Sequence, residues 1–154
     1  MLANNRSSLP ALSYADTLAA STSDVMLLIG RILLGWIFVR SGYGKLFDIA
    51  AYSNTFPGRG LPAFLAYVAV PVEFFGGVAL IFGLATRYVT IVMIAFMLVA
   101  TFSSHRYWEY TDPNVRRFQD ASFWKNISML GGFFVFFITG PGRLSVDNWL
   151  RGKA

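Results

Sequence analysis

The stretch VMLLIGRILLGWIFVRSGYGKLF, residues 25–47, is an apolar run punctuated only by Arg31, Arg40 and Lys45. At 1.5 Å per residue it is long enough to cross a hydrocarbon core of ~30 Å. Three more runs of comparable hydropathy follow, at residues 62–84, 88–104 and 123–140. The connector Ala85-Thr86-Arg87 permits only a tight reversal, so the second and third runs form an antiparallel hairpin. The pattern predicts an all-α fold, an integral membrane bundle of four transmembrane helices arranged as two antiparallel hairpins. Asp24 and Ser122 stand as N-caps of the first and fourth helices, and Pro62 suits a first turn. Gly83 and Pro141-Gly142 act as stops. Residues 48–61 form a polar loop. Residues 105–122 read as a surface loop whose Tyr107, Trp108 and Tyr110 occupy an interfacial belt, with Phe123 and Trp124 at headgroup level.

Around this membrane domain, residues 25–147, lie a polar N-terminal segment, 1–24, and a basic tail, 148–154. The leading segment carries Arg6 but no apolar h-region before Val25, so it does not read as a cleaved signal peptide. Leu9, Leu12 and Leu18 give it a weak interfacial helix. Both termini fall on one side of the membrane, but Lys and Arg do not say which. Five (Arg6, Arg87, Arg143, Arg151, Lys153) lie on the terminal side and six (Lys45, Arg59, Arg106, Arg116, Arg117, Lys125) on the other. The Gly76-Gly77 and Gly131-Gly132 pairs give a faint internal repeat between the second and fourth runs.

The whole composition agrees with a membrane and removes other classes. Of 154 residues, 55% are hydrophobic and 14% charged, against about 25% charged in soluble domains. The mean hydropathy is +0.52. The chain has no Cys, so it holds no disulfide, thiolate metal site or iron–sulfur cluster by itself. Its one histidine, His105, excludes a bis-histidine haem and a multi-His metal site within one chain. The net charge of +5 does not point to nucleic acid, because the basic residues punctuate apolar runs instead of clustering on a solvated face.

At 100° per residue, Arg31, Gly35, Phe38, Gly42 and Lys45 share one face of the first helix, with glycines that permit close helix contact. Arg40 points the opposite way and snorkels to headgroups, whereas Arg31 turns inward. Ala66, Ala69, Glu73, Gly77 and Leu80 form the matching stripe on the second helix. Glu73 is the sharpest signal, the one acidic side chain inside the four runs. An unpaired carboxylate at that depth costs several kcal/mol or takes up a proton. Pro71 leaves the Tyr67 carbonyl without its helical donor, beside Glu73. In a simple antiparallel hairpin Glu73 lies between the depths of Arg31 and Arg40, within reach of either. A buried Glu–Arg pair fixing helix register and a ligand-binding or proton-handling role both fit.

Thr90, Ile94, Met97, Thr101 and His105 align on the third helix, and Lys125, Ser128, Gly132 and Thr139 on the fourth. His105, Lys125 and Asn126 lie near the same surface as Lys45. His105 is an interfacial hydrogen-bonding residue or a proton port, since histidines titrate near neutral pH. Lys125 meets either lipid phosphate or a ligand. Closed on one another, these faces enclose a polar interior with Arg31, Glu73, Thr101 and Lys125, of the kind that marks a ligand or ion pathway.

The segments Gly30-Arg31, Gly42-Tyr43-Gly44-Lys45-Leu46, Pro71-Val72-Glu73, Gly83-Leu84-Ala85-Thr86-Arg87, Ala100-Thr101-Phe102 with His105, Trp124-Lys125-Asn126 and Gly140-Pro141-Gly142-Arg143-Leu144-Ser145-Val146-Asp147 follow in an order that resembles the DoxX family. The resemblance covers roughly residues 27–147. It implies a multi-pass protein of the cytoplasmic (inner) membrane with cytoplasmic termini and four transmembrane helices. It also implies work beside quinol oxidase or thiosulfate:quinone oxidoreductase subunits, or in oxidative-stress assemblies. Cysteine chemistry, known in the wider superfamily, sits poorly with this chain.

Three functions stay open. In the first, the chain is a quinone or quinol-binding subunit whose electrons pass through a redox partner chain. Glu73 and His105 then carry the catalytic proton traffic, and Arg31, Lys45, Glu73, Thr101, Lys125 and Asn126 bind the quinone. The second is a small-anion or metabolite transporter, which would need a homodimer; the third is a non-catalytic scaffold in the bilayer. No nucleophile–base pair, phosphate loop or metal cluster marks an independent enzyme.

Overall fold

The computed structural model describes residues 10–152. Arg6, Leu9 and Lys153, assigned above to the terminal segments, lie outside them. Among the described residues there are six α-helices and no strand: α1 (Pro10–Leu46), α2 (Ile49–Ser53), α3 (Ala66–Phe82), α4 (Thr86–Ser104), α5 (Pro113–Thr139) and α6 (Val146–Arg151). Four of them, α1, α3, α4 and α5, are long and apolar enough to cross a membrane. The all-α, four-span expectation is therefore met.

Helix α1 packs chiefly on α3 and α5 chiefly on α4, with the α3–α4 hairpin joining the two pairs. The core between them draws on every span: Phe38 from α1, Leu80 from α3, Met93 and Met97 from α4, and Leu130, Phe133 and Phe136 from α5. Phe38 lies 5.6 Å from the Phe133 ring and 6.5 Å from Phe96. Lipid is as apolar as leucine, so this packing rests on dispersion and close backbone approach and not on escape from water. The closest approach joins α1 to α3. A Cβ on Gly35 would lie 2.7 Å from the Gly77 carbonyl oxygen, and one on Gly77 would lie 2.8 Å from that of Gly35. The Gly131 position has open space instead, so the two Gly-Gly pairs do different work.

Three helix starts differ from expectation. Pro62 is extended and precedes a 3₁₀ turn at Ala63–Leu65, so α3 starts at Ala66 and not with Pro62 in its first turn. Helix α1 does not begin after Asp24 but runs back to Pro10, because Ala and Leu favour the helix there and the hydroxyls of Thr17 and Thr22 bond to the carbonyls of Ser13 and Leu18, each at 2.8 Å. Asp24 instead accepts a 2.7 Å bond from the Arg143 N–H. Helix α5 begins at Pro113, not near Phe123. Asp112 is its cap, accepting from the N–H groups of Asn114 and Val115 at 2.8 and 3.0 Å. Ser122 is thus a buried mid-helix residue. The connector left between α4 and α5 is short, residues 105–112, and it includes one 3₁₀ turn at Tyr107–Glu109.

The predicted faces hold on the first two spans: Arg31, Gly35, Phe38 and Gly42 are buried on α1, and Ala66, Glu73, Gly77 and Leu80 on α3. On α4 the buried line is Thr86, Thr90, Met93, Met97 and Thr101. On α5 the expected stripe is met only in part. Gly132 lies against Leu34 and Lys125, though exposed, borders an interior cavity, but Ser128 and Thr139 face outward, while Ser122, Asn126, Leu130 and Phe133 face the core. Ser128 and Thr139 meet lipid because each hydroxyl is satisfied by a carbonyl of its own helix, Trp124 at 2.9 Å and Val135 at 2.8 Å.

The terminal side is closed by the segment that follows α5. Gly83 ends α3 with φ +65°, a left-handed conformation in which a side chain would also overlap the Arg31 guanidinium. Asp147 reaches across to cap α4, accepting from the N–H groups of Ala85 and Thr86 at 2.6 and 2.9 Å. Its own N–H returns a 2.9 Å bond to the Gly83 carbonyl.

Candidate functional site

The partner of Glu73 is Lys45. Its Nζ lies 2.9 and 2.8 Å from the two carboxylate oxygens, donates to Ser41 Oγ at 3.0 Å, and stands 5.0 Å from the centre of the Tyr52 ring. Neither expected arginine takes this place. Gly42 lies against the α3 backbone at Phe74, where a Cβ would come within 3.0 Å of the Phe74 nitrogen. That contact sets Lys45, one turn further along α1, beside Glu73. Arg40 is exposed, on the lipid-facing side of α1.

Arg31 turns inward as expected but toward the other end of the bundle. It is fully buried and donates to the Leu144 carbonyl and, at 3.2 Å, to that of Ile81. It ties the end of α3 to the segment before α6, and its Nε has no hydrogen-bond partner among the described residues. The polar interior thus divides in two, Arg31 on the terminal side and Glu73 toward the opposite side.

The second half contains a cavity of about 900 Å³ between α1, α3, α4, α5 and the 48–61 connector, which is not all loop as expected but holds α2 and a 3₁₀ turn at Pro57–Arg59. Five of the candidate residues line it: Lys45, Glu73, His105, Lys125 and Asn126. Arg31 does not, and Thr101 is fully buried behind the wall with its hydroxyl unpartnered among the described residues. The deeper wall is apolar, with Phe38, Val72, Met97 and Met129. Val68 of α3 and Val92 and Val99 of α4 also line the cavity, yet are 58%, 49% and 54% exposed. The space therefore opens sideways between α3 and α4, where the bilayer would lie.

His105 Nδ1 stands 2.7 Å from Gln119 Oε1. An amide oxygen only accepts, so Nδ1 is the nitrogen that donates to Gln119, and Nε2 is free of that contact. Sequence reasoning missed Gln119, because only the early start of α5 brings it beside His105. It also missed Arg59 and Tyr52. Arg59 donates to Tyr52 Oη at 3.0 Å and Ser104 Oγ at 3.3 Å, and lies 5.2 and 5.6 Å from the Tyr52 and Phe56 ring centres. The folding back of the 48–61 connector carries no periodic signal. Its one hint is the presence of two aromatic residues, at 52 and 56, beside a basic one at 59.

With this fold and site, the chain belongs to the DoxX family, which it matches over residues 26–106. It is 32% identical over 130 residues to "Inner membrane protein YqjF" of Escherichia coli (strain K12), covering 84% of this chain and 95% of that protein. It is 34% identical over 143 residues to "Inner membrane protein YphA" of the same organism, covering 89% and 97%. A shorter likeness, 39% over 66 residues and 43% of this chain, reaches 49% of CatD of Bacillus subtilis (strain 168), whose name carries a provisional oxidoreductase label. No solved structure matches the chain.

Proposed function

We propose that the cavity receives the headgroup of a quinone or quinol and that this chain is the membrane subunit of a quinone-linked oxidoreductase, with electrons delivered by a redox partner chain. The observation that carries the reading is the shape of the site: a space open sideways to lipid that ends at a lysine–carboxylate pair. A ligand dissolved in the bilayer enters such a space without crossing water. The residues fit the headgroup, since the Asn126 amide offers a donor to a ring oxygen, Lys45 places a positive charge beside it, and Phe38, Met97 and Met129 offer an apolar wall. A quinone supplies exchange of two electrons and two protons. Glu73 is the group that gives and takes a proton at the ring oxygen, with Lys45 stabilising the carboxylate form. His105, held by Gln119, links that pair to water through Nε2. Arg31 and Thr101 act on the scaffold around the site. The names of the relatives support an inner-membrane location, and the family resemblance supports cytoplasmic termini; a homodimer is compatible with the exposed apolar faces.

The test is mass spectrometry of organic extracts from protein purified in native membrane patches. Wild type is expected to carry stoichiometric quinone, and Glu73→Gln and Lys45→Met to lose most of it while Arg40→Gln keeps it. Absence of quinone from wild type, with the variants folded and the lipid profile unchanged, would turn the reading toward transport or a scaffold.

A further inference from the structure

The charges lining the cavity do not balance. Lys45, Arg59, Arg106 and Lys125 line it, and Glu73 is the single carboxylate that does so. Glu73 is taken by Lys45 at 2.8 Å, and Arg106 pairs with Glu109 at 3.2 Å. Arg59 and Lys125 remain, neither with a carboxylate in ion-pair distance among the described residues. Arg59 is half-buried and held in place, with one Nη donating to Tyr52 and Ser104 and the guanidinium 5.2 and 5.6 Å from the centres of the Tyr52 and Phe56 rings, which meet each other edge to face. A guanidinium held by hydroxyls and ring faces keeps its full charge and its remaining N–H donors for an anion at the cavity mouth.

Depth identifies the anion. Ser104, which accepts from Arg59, is the last residue of α4, and Trp108 and Tyr110 just beyond it are 50% and 39% exposed, as in an aromatic interfacial belt. Arg59 through Ser104, and Lys125 two residues past Phe123, whose ring lies 5.5 and 5.9 Å from those of Tyr107 and Trp108, therefore stand at the level of lipid phosphates. The sideways opening beside Val68, Val92 and Val99 offers acyl chains a path from that mouth into the bilayer. We propose that the mouth of the cavity is a phosphodiester site for one anionic phospholipid, gripped by Arg59 and Lys125. It is distinct from the quinone reading and does not depend on it. Arg59 supplies paired N–H donors to two phosphate oxygens, and Lys125 a mobile point charge.

The full chain, delipidated and offered equal phosphatidylglycerol and phosphatidylethanolamine, is examined by native mass spectrometry. Wild type is expected to retain one phosphatidylglycerol. Lys125→Gln and Arg59→Gln should each weaken retention by about fivefold, the loss of one juxtamembrane cation. Lys125 is exposed and makes no ion pair among the described residues, so its replacement leaves the packing intact. Arg116→Gln with Arg117→Gln removes two exposed charges on the same side that do not line the cavity, and should leave retention unchanged. Equal loss in that control, no loss in Lys125→Gln, or complete displacement of the lipid by inorganic phosphate overturns the proposal. The readout is the lipid, so a failure to find quinone leaves this test unaffected.

Discussion

Lys45 and Arg31 sit on one face of one helix and do opposite work. Lys45 neutralises a carboxylate that is 9% exposed, and removing it leaves that charge alone beside lipid. Lys45→Met is expected to cost about 2 kcal/mol, with Glu73→Gln added on top recovering most of it. Unfolding in mixed micelles checks this, and a double variant no more stable than Lys45→Met would mean the pair is not coupled. Arg31 satisfies two carbonyls from different segments, so Arg31→Lys should fail to replace it, at a cost of about 2 kcal/mol in the same assay. Glu73 was legible in the sequence because an acid inside an apolar run has no ordinary explanation. Its partner was not, because the choice among Arg31, Arg40 and Lys45 depends on how far α1 slides along α3. That register is set by Gly42 on Phe74 and Gly35 on Gly77, contacts that helical periodicity does not encode.

At the level of the elements, the α1–α3 contact is backbone against backbone, and this predicts a sharp contrast between glycines. Gly35→Leu drives a side chain into the Gly77 carbonyl and should separate the helices, read out as lost cross-linking between cysteines introduced at the exposed ends of α1 and α3. Gly131→Ala, in a helix interior with open space around it, should instead raise stability by up to about 1 kcal/mol. Spans and buried faces of α1 and α3 could be read from the sequence because lipid demands long apolar runs and packing demands small residues. The water-side extensions at 10–24 and 113–122 could not, since hydropathy reports the membrane and is silent on polar helices outside it. The α5 face was misread in part for a related reason. Near headgroups, or where a hydroxyl bonds its own helix, a polar side chain need not face inward.

For the molecule as a whole, the two halves of the polar interior are built differently. The loop side holds a cavity with an acid, a base and unbalanced cations. The terminal side is tied shut by Arg31 to Leu144, Asp147 to Ala85 and Thr86, and Asp24 to Arg143. Each of these ties ends in residues 143–147, which follow all four spans in chain order and so are synthesised after them. All four spans can thus enter the bilayer before the structure that locks them exists. Insertion in chain order would leave an interval in which the bundle is in the bilayer but unlatched. A chain stopped after Gly142 should reach the membrane in normal amount and then be cleared by membrane proteases several times faster than the full chain, as pulse-chase labelling would record. Equal lifetimes would mean that the spans hold together without their final stitch.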